Sequence, residues 1–329
     1  MTILSTHNLS IGYQKGKSST IVLKNLNISL KRGSLVALVG ANGIGKSTLL
    51  RTITSNQLPI EGYVTLNGKR FDEISKKELS KLLSIVNTDR TQAGGLTVRE
   101  LVSLGRQPYT GFLGILDSND RQIVETAMQN AGIAHKADSF LAELSDGERQ
   151  KTMIAKALAQ NTPVIILDEP TAFLDVESRM ETMLLLHRLA HEQGKAILLS
   201  SHDLSQSMML ADELWIITHD RQLIHGNTED LALSGAMDKI FKSENISFDL
   251  THGDYCIKLA CAKQIGLDCA DKSLYRCIAN ALARNGYEIC NNQQNSISII
   301  ASSPTDIAIT KHNITTTAHS IAEALEILK

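Results

Sequence analysis

The stretch from Leu35 to Thr48 constrains the fold more than any other part of the chain. Leu35, Val36, Ala37, Leu38 and Val39 form a short apolar run. A glycine-rich turn ends that run, and Ser47 to Thr54 reads as the start of a helix. The turn itself, Gly40-Ala41-Asn42-Gly43-Ile44-Gly45-Lys46-Ser47, fits G-x-x-x-x-G-K-[ST] at every position. Strand, loop and helix in that order are the setting in which this pattern cradles phosphate. Glycines let backbone N–H groups turn onto phosphate oxygens, and the helix N-terminus adds its positive dipole end. Lys46 is then expected to reach the β and γ phosphates, Ser47 to hold Mg²⁺ and Thr48 to complete the nucleotide-binding run.

Two further apolar runs, Val164 to Leu167 and Ala196 to Leu199, read as strands buried on both faces. That is the pattern of a parallel sheet covered by helices on either side, with ligands collecting at the carboxyl ends of its strands. The first run delivers Asp168 and Glu169 to that edge. Asp168 is the expected Mg²⁺ partner and Glu169 the expected general base toward water. Between the Leu35 to Val39 run and the Val164 to Leu167 run, Val98 to Arg106, Asp120 to Ala131 and Ser145 to Ala159 are helix candidates, forming an inserted helical subdomain at about 88–160.

Leu144-Ser145-Asp146-Gly147-Glu148-Arg149-Gln150 lies shortly before the acidic strand. Ser145 with Glu148 fits a helix capping box. The same residues resemble the signature motif of ABC ATPases, L-S-G-G-Q, with Asp146 and Glu148 as departures. The resemblance covers about residues 3–235 and implies an α/β fold: an ABC-type P-loop ATPase domain with an inserted helical subdomain. It implies ATP and Mg²⁺ as cofactors and a homodimer that sandwiches each nucleotide between Gly40 to Thr48 of one copy and Ser145 and Gly147 of the other. Tyr13 resembles the aromatic that stacks on adenine, Asp175 in Ala172-Phe173-Leu174-Asp175 the D-loop aspartate, and His202 the switch histidine at the γ-phosphate. The family's Q-loop glutamine is replaced: its place falls on Thr88, with Asp89 and Gln92 as alternatives.

LTVRELVSLGRQPY, residues 96–109, is similar to the motors of iron-siderophore, haem and vitamin B12 importers. That likeness implies ATP hydrolysis coupled to uptake through separate polytopic permease subunits, fed by an extracytoplasmic substrate-binding protein. It makes Val98 to Phe112 the expected permease contact. A soluble ABC ATPase, such as one of iron–sulfur cluster assembly, and a nucleotide-gated module of slow turnover are the competing readings.

The 33 basic and 35 acidic residues leave a net charge of −2, so no nucleic-acid partner is expected. No run approaches the roughly 18 apolar residues of a membrane span. The expected place is therefore the cytoplasmic face of the plasma (inner) membrane, peripheral through the permease. Domain boundaries are expected at 1–243 for the ATP-binding domain and 250–329 for a small C-terminal α+β domain. In that domain Tyr255, Ile257, Leu259 and Cys261 alternate like a strand. Leu274, Cys277, Ile278, Ala281 and Leu282 make one helical face, Ile297/Ile299 and Ile307/Ile309 two more strands, and Ile321, Ala324, Leu325 and Leu328 a last helix. The five cysteines, Cys256, Cys261, Cys269, Cys277 and Cys290, are expected as small buried apolar side chains.

Overall fold

The computed structural model describes residues 1–329 except 17, 88–94, 112–113, 244, 251–252, 258, 260, 262, 291–296 and 313. It divides into two compact units, residues 1–243 with 248–255, and residues 244–247 with 256–329.

In the larger unit the central sheet runs in the order Leu223–Asn227, Glu213–Ile217, Leu35–Gly40, Ala196–Ser201, Val164–Leu167, Leu83–Val86. All neighbours are parallel except the hairpin partner Leu223–Asn227. The continuous apolar runs follow from what covers each face. Leu35, Ala37, Val39, Ile165, Leu167, Ile197 and Leu199 face a core shared with the helices Val98–Ser103, Ser118–Asn130, Asp146–Ala159 and Val176–Gln193. Val36, Leu38, Val164, Ile166, Ala196 and Leu198 face a second core, whose other wall is an antiparallel sheet and the helix Lys46–Ile53. That antiparallel sheet runs Ser18–Leu26, Thr2–Lys15, Glu61–Leu66, Lys69–Arg70, with Ser29–Lys31 beside Thr2–Lys15. With both faces closed, Leu35–Gly40 and Val164–Leu167 carry no polar side chain, and the serines of Ala196–Ser201 stand at its carboxyl end.

The expected helix Val98 to Arg106 is α-helical only over Val98–Ser103 and tightens to a 3₁₀ turn at Leu104–Arg106. Packing causes the change. A Cβ on Gly105 would collide with the Lys156 carbonyl, so the chain lies directly on the helix Asp146–Ala159. Arg106 is buried there, donating to Asp120 Oδ1 at 2.8 Å and to the Ala159 carbonyl at 2.9 Å, beneath the Tyr109 ring. The expected permease contact is thereby narrowed. Val98, Leu101 and Val102 are core, Leu104 and Tyr109 are exposed, and Phe112 lies outside the described residues.

The smaller unit carries a sheet in the order Tyr287–Ile289, Lys263–Asp268, Ile297–Ser303, Asp306–Lys311, Ile314–Ala318. The first three are parallel and the last two antiparallel. Helices Lys272–Arg284 and Ile321–Leu328 pack against Ile265, Leu267, Ile299, Ala301, Ile307 and Ile309. Of the expected strand through Tyr255, Ile257, Leu259 and Cys261, the described residues form strand over Asp254–Ile257, and Ile257 and Leu259 are exposed. Tyr255 belongs to the larger unit, where it packs edge-on against Phe241 and Phe248 and donates to the Met237 carbonyl at 2.8 Å. Burial pushes its phenol well above the ordinary range. The cysteine expectation is also corrected, since Cys256 and Cys277 are exposed and the other three half-buried. Cys277 sits at the edge of its helix's apolar face, whose centre is filled by Leu274, Ile278, Ala281 and Leu282.

Candidate functional site

The central strand Leu35–Gly40 runs into the glycine loop at the carboxyl edge of the sheet. Gly43 and Gly45 take φ values of 73° and 124°, which L side chains rarely adopt. Gly45 has a second reason to be glycine, because a Cβ there would lie 2.6 Å from Val22 Cγ1. The loop folds around Lys46, only 6% exposed, whose Nζ donates to the Gly40 carbonyl at 2.8 Å and to the Ala41 carbonyl at 3.3 Å. Burial lowers the Lys46 pKa, while Glu169 and Asp168 oppose the shift.

An open cavity of about 370 Å³ lies over the loop, lined by Tyr13, Asn42, Gly43, Lys46, Ser47, Thr48 and Glu169 among others. The Tyr13 hydroxyl shares a 2.8 Å hydrogen bond with Thr48 Oγ1, which ties the exposed ring to the loop. Thus loop, aromatic and acidic strand end meet in one place.

The acidic pair is held by a residue the sequence reading passed over. Ser200, fully buried at the end of Ala196–Ser201, accepts from the Glu169 amide at 2.8 Å and donates to Asp168 Oδ1 at 2.7 Å. Ser47 Oγ also reaches Asp168 Oδ1, at 3.5 Å. Glu169 has a φ of 46°, a left-handed conformation that costs about 1–3 kcal/mol in a non-glycine residue and points to a functional demand. Its Oε1 lies 3.9 Å from Lys46 Nζ and its Oε2 3.9 Å from His202 Nδ1. Arg221 lines the cavity as well, and nothing in its sequence surroundings marked it. A second cavity of about 420 Å³ touches Asp168 and includes Asn87. The expected Q-loop positions, Thr88, Asp89 and Gln92, lie outside the described residues.

Ser145 and Gly147 do not line the loop cavity of their own chain. Ser145 caps the helix Asp146–Ala159: its hydroxyl accepts from the Glu148 amide at 3.2 Å, and Glu148 Oε2 accepts from the Ser145 amide at 2.9 Å. The bond from the Ser145 amide, with Lys136 Nζ at 3.3 Å, holds the Glu148 carboxyl below its usual range. Gly147 is buried against the next helix, where a Cβ would meet Ser178 Oγ at 2.5 Å. Asp175 caps that helix, Val176–Gln193, by accepting from the Ser178 amide at 2.8 Å. The adjacent Phe173 is 75% exposed with a φ of 65°.

The sequence model of the ABC transporter family matches residues 23–172, and that of the iron ABC transporter C-terminal domain matches residues 263–329. The chain is 35% identical over 259 residues to the iron(3+)-hydroxamate import ATP-binding protein FhuC of Bacillus subtilis, covering 78% of this chain and 95% of that protein. It is 33% identical over 238 residues to the ferric enterobactin transport ATP-binding protein FepC of Escherichia coli, covering 72% and 86%. Among solved structures, an inward-facing putative metal-chelate type ABC transporter matches with a TM-score of 0.64 and 26% identity, over 73% of this chain and 89% of that one. A dimeric ATP-binding cassette in a post-hydrolysis state with ADP and Pi matches with a TM-score of 0.60 and 27% identity, over 69% and 99%. With the phosphate loop, the acidic strand end and the signature helix in one fold, the chain belongs to the ATPase subunits of ABC transporters, in the family of the iron-chelate and cobalamin importers.

Proposed function

We propose that the chain drives uptake of an iron chelate, a siderophore or haem, or of cobalamin. It works as a homodimer on the cytoplasmic face of the plasma (inner) membrane, bound to polytopic permease subunits that a substrate-binding protein supplies. Among the described residues no helix is long and apolar enough to cross a membrane, so passage of the cargo falls to the permease. The names of the import relatives and the iron-transporter model over residues 263–329 support this reading over a soluble iron–sulfur machine.

The carrying observation is the position of Glu169, 3.9 Å from both Lys46 and His202 at the mouth of the phosphate loop. ATP enters with its base against Tyr13 and its phosphates along Gly40 to Thr48. Lys46 neutralises the terminal phosphates, since its ammonium is held inward by the loop carbonyls. The Ser47 hydroxyl and Asp168 carboxylate, 3.5 Å apart, suit Mg²⁺ in being adjacent hard oxygen donors. Bound there, the ion would offset charge on the phosphates. Glu169 accepts the proton of the attacking water, and His202 orients the γ-phosphate side of the cavity. Ser145 and Gly147 serve the partner's nucleotide across the dimer, with Asp175 at the junction. Closure of the two copies then biases the permease between its two states.

The test is to express tagged Glu169→Gln protein in its native cell, solubilise the membranes with ATP present and identify the companions. A polytopic permease is the expected companion. Recovery only in the soluble fraction, with cytosolic proteins, would overturn the importer reading. Steady turnover by the parent and its loss in Glu169→Gln, with ATP still bound, exclude the slow nucleotide-gated module.

A further inference from the structure

One side chain outside the cavity joins the two loops that carry Glu169 and His202. Arg179 lies in the helix Val176–Gln193. Its Nη2 donates to the Leu174 carbonyl at 3.0 Å, in the short loop that follows Glu169. Its Nη1 lies 3.3 Å from Asp203 Oδ2, in the residue that follows His202. Asp203 has little freedom of its own. Its amide donates to Ser201 Oγ at 2.9 Å, its Oδ1 accepts from the Gln206 amide at 3.1 Å, and its carbonyl accepts from Ser207 Oγ at 2.7 Å. A guanidinium suits such a junction, because its planar fork offers donors in fixed directions to two acceptors at once.

Two buried atoms beside this junction have no hydrogen-bond partner, Arg179 Nε and Gln206 Oε1. A buried donor left unpaired costs stability, and the position of the guanidinium therefore needs an account other than its own satisfaction. The distance it holds supplies one. Glu169 Oε2 and His202 Nδ1 stand 3.9 Å apart, on the loops that follow the adjacent strands Val164–Leu167 and Ala196–Ser201.

We propose that Arg179 is a positioning residue for ATP hydrolysis, clasping the Leu174 carbonyl to Asp203 and so fixing the separation of Glu169 from His202. The proposal rests on the reading of Glu169 as the base and His202 as its neighbour at the γ-phosphate. Arg179 does not line the nucleotide cavity. Loosening the clasp therefore leaves ATP binding intact and slows the step in which the two loops must be in register.

The test uses the full chain with Mg²⁺ and ATP and compares Arg179→Met, Arg179→Lys, Asp203→Asn, the double variant Arg179→Met/Asp203→Asn, and Glu169→Gln. Arg179→Met and Asp203→Asn should each lower kcat by about tenfold, with KM for ATP changed less than about twofold. The double variant should be no slower than either single one, because both remove the same contact. Arg179→Lys should recover part of the loss. Asp203→Asn keeps a helix-capping oxygen, so it decides the matter if Arg179→Met fails to fold. A rise in KM matching the loss in turnover, multiplying effects in the double variant, or unchanged turnover would each overturn the clasp. Undiminished turnover by Glu169→Gln would instead overturn the site reading beneath it, whereas inactive Glu169→Gln beside fully active Arg179→Met would overturn the clasp alone.

Discussion

The central sheet of the motor and the sheet of the C-terminal unit both contain parallel strands, yet they are enclosed in different ways. Val164–Leu167 is buried at every position, between helices on one side and an antiparallel layer on the other. Ile297–Ser303 buries only Ile299 and Ala301, because its helices cover one face, and Ile300 on the other face is 54% exposed. The closed sheet gives a functional edge its rigidity, since everything behind Asp168 and Glu169 is packed. Among the described residues the half-open sheet has no such backing at Ile300.

A difference of enclosure should show as a difference in what breaks each unit. In the motor, the helical layer is fastened by the buried pair of Arg106 and Asp120. Asp120→Ala leaves the guanidinium buried without its carboxylate, which typically destabilises by about 3–5 kcal/mol. Thermal or urea unfolding should show the motor transition moving by that amount, and a second change, Arg106→Met, should restore part of it. An unfolding curve in which the C-terminal unit shifts equally would contradict the division into two units.

The reciprocal change is Ile307→Ala, at a fully buried position of the C-terminal sheet. Loss of that side chain should destabilise its unit by about 2–5 kcal/mol, depending on how far the helices collapse onto the gap. ATP turnover of the full chain should stay within about twofold of the parent, since the reacting groups sit in the other unit. A proportionate loss of turnover would show that the two units fold as one.

The same difference explains what the sequence disclosed. Strands buried on both faces appear as unbroken runs, and Val164 to Leu167 and Ala196 to Leu199 were legible for that reason, as was the loop that fits a phosphate pattern at every position. In the C-terminal unit the signal is alternation, which chance also produces. Tyr255, Ile257, Leu259 and Cys261 alternate, but of these only Tyr255 and Ile257 lie in a described strand, and Ile257 is exposed, while Lys263–Asp268 buries Ile265 and Leu267 between Gln264 and Gly266 with no run to mark it. In the candidate site, side chains named by motif were legible, while Ser200, Arg221 and Arg179 were not. Their importance comes from neighbours distant in sequence, and no local pattern announces a serine that bridges Asp168 and the Glu169 amide.

Gly147 offers a smaller and sharper probe of how tightly the motor is packed. Its site leaves no room for a methyl group, because Ser178 Oγ would stand 2.5 Å and Ser178 Cβ 2.9 Å from it. Gly147→Ala should cost about 1–3 kcal/mol from overpacking. Ser178→Gly in the same chain should relieve most of that cost, since it removes both clashing atoms. If the double variant is as unstable as Gly147→Ala alone, the strain arises elsewhere in the signature helix.

The smallest expected effect is a dependence on pH at Lys46. Burial holds this ammonium below its ordinary value of 10.5, while Glu169 and Asp168 limit the shift. Between the lowered folded value and 10.5 the unfolded chain binds more protons than the folded one, so stability rises with pH across that window. Below the folded value the desolvation penalty is present in full. Without nucleotide, the parent should therefore gain stability relative to Lys46→Met as pH climbs toward 10.5, read as a growing difference between their urea midpoints. ATP should lose affinity over the same range, because a neutral amine no longer offsets phosphate charge. A midpoint difference that stays constant with pH would mean that the two carboxylates fully compensate the burial of the ammonium. In that case the motor would hold this inward charge at no cost, and its closed packing would be less demanding than the contrast with the C-terminal sheet implies.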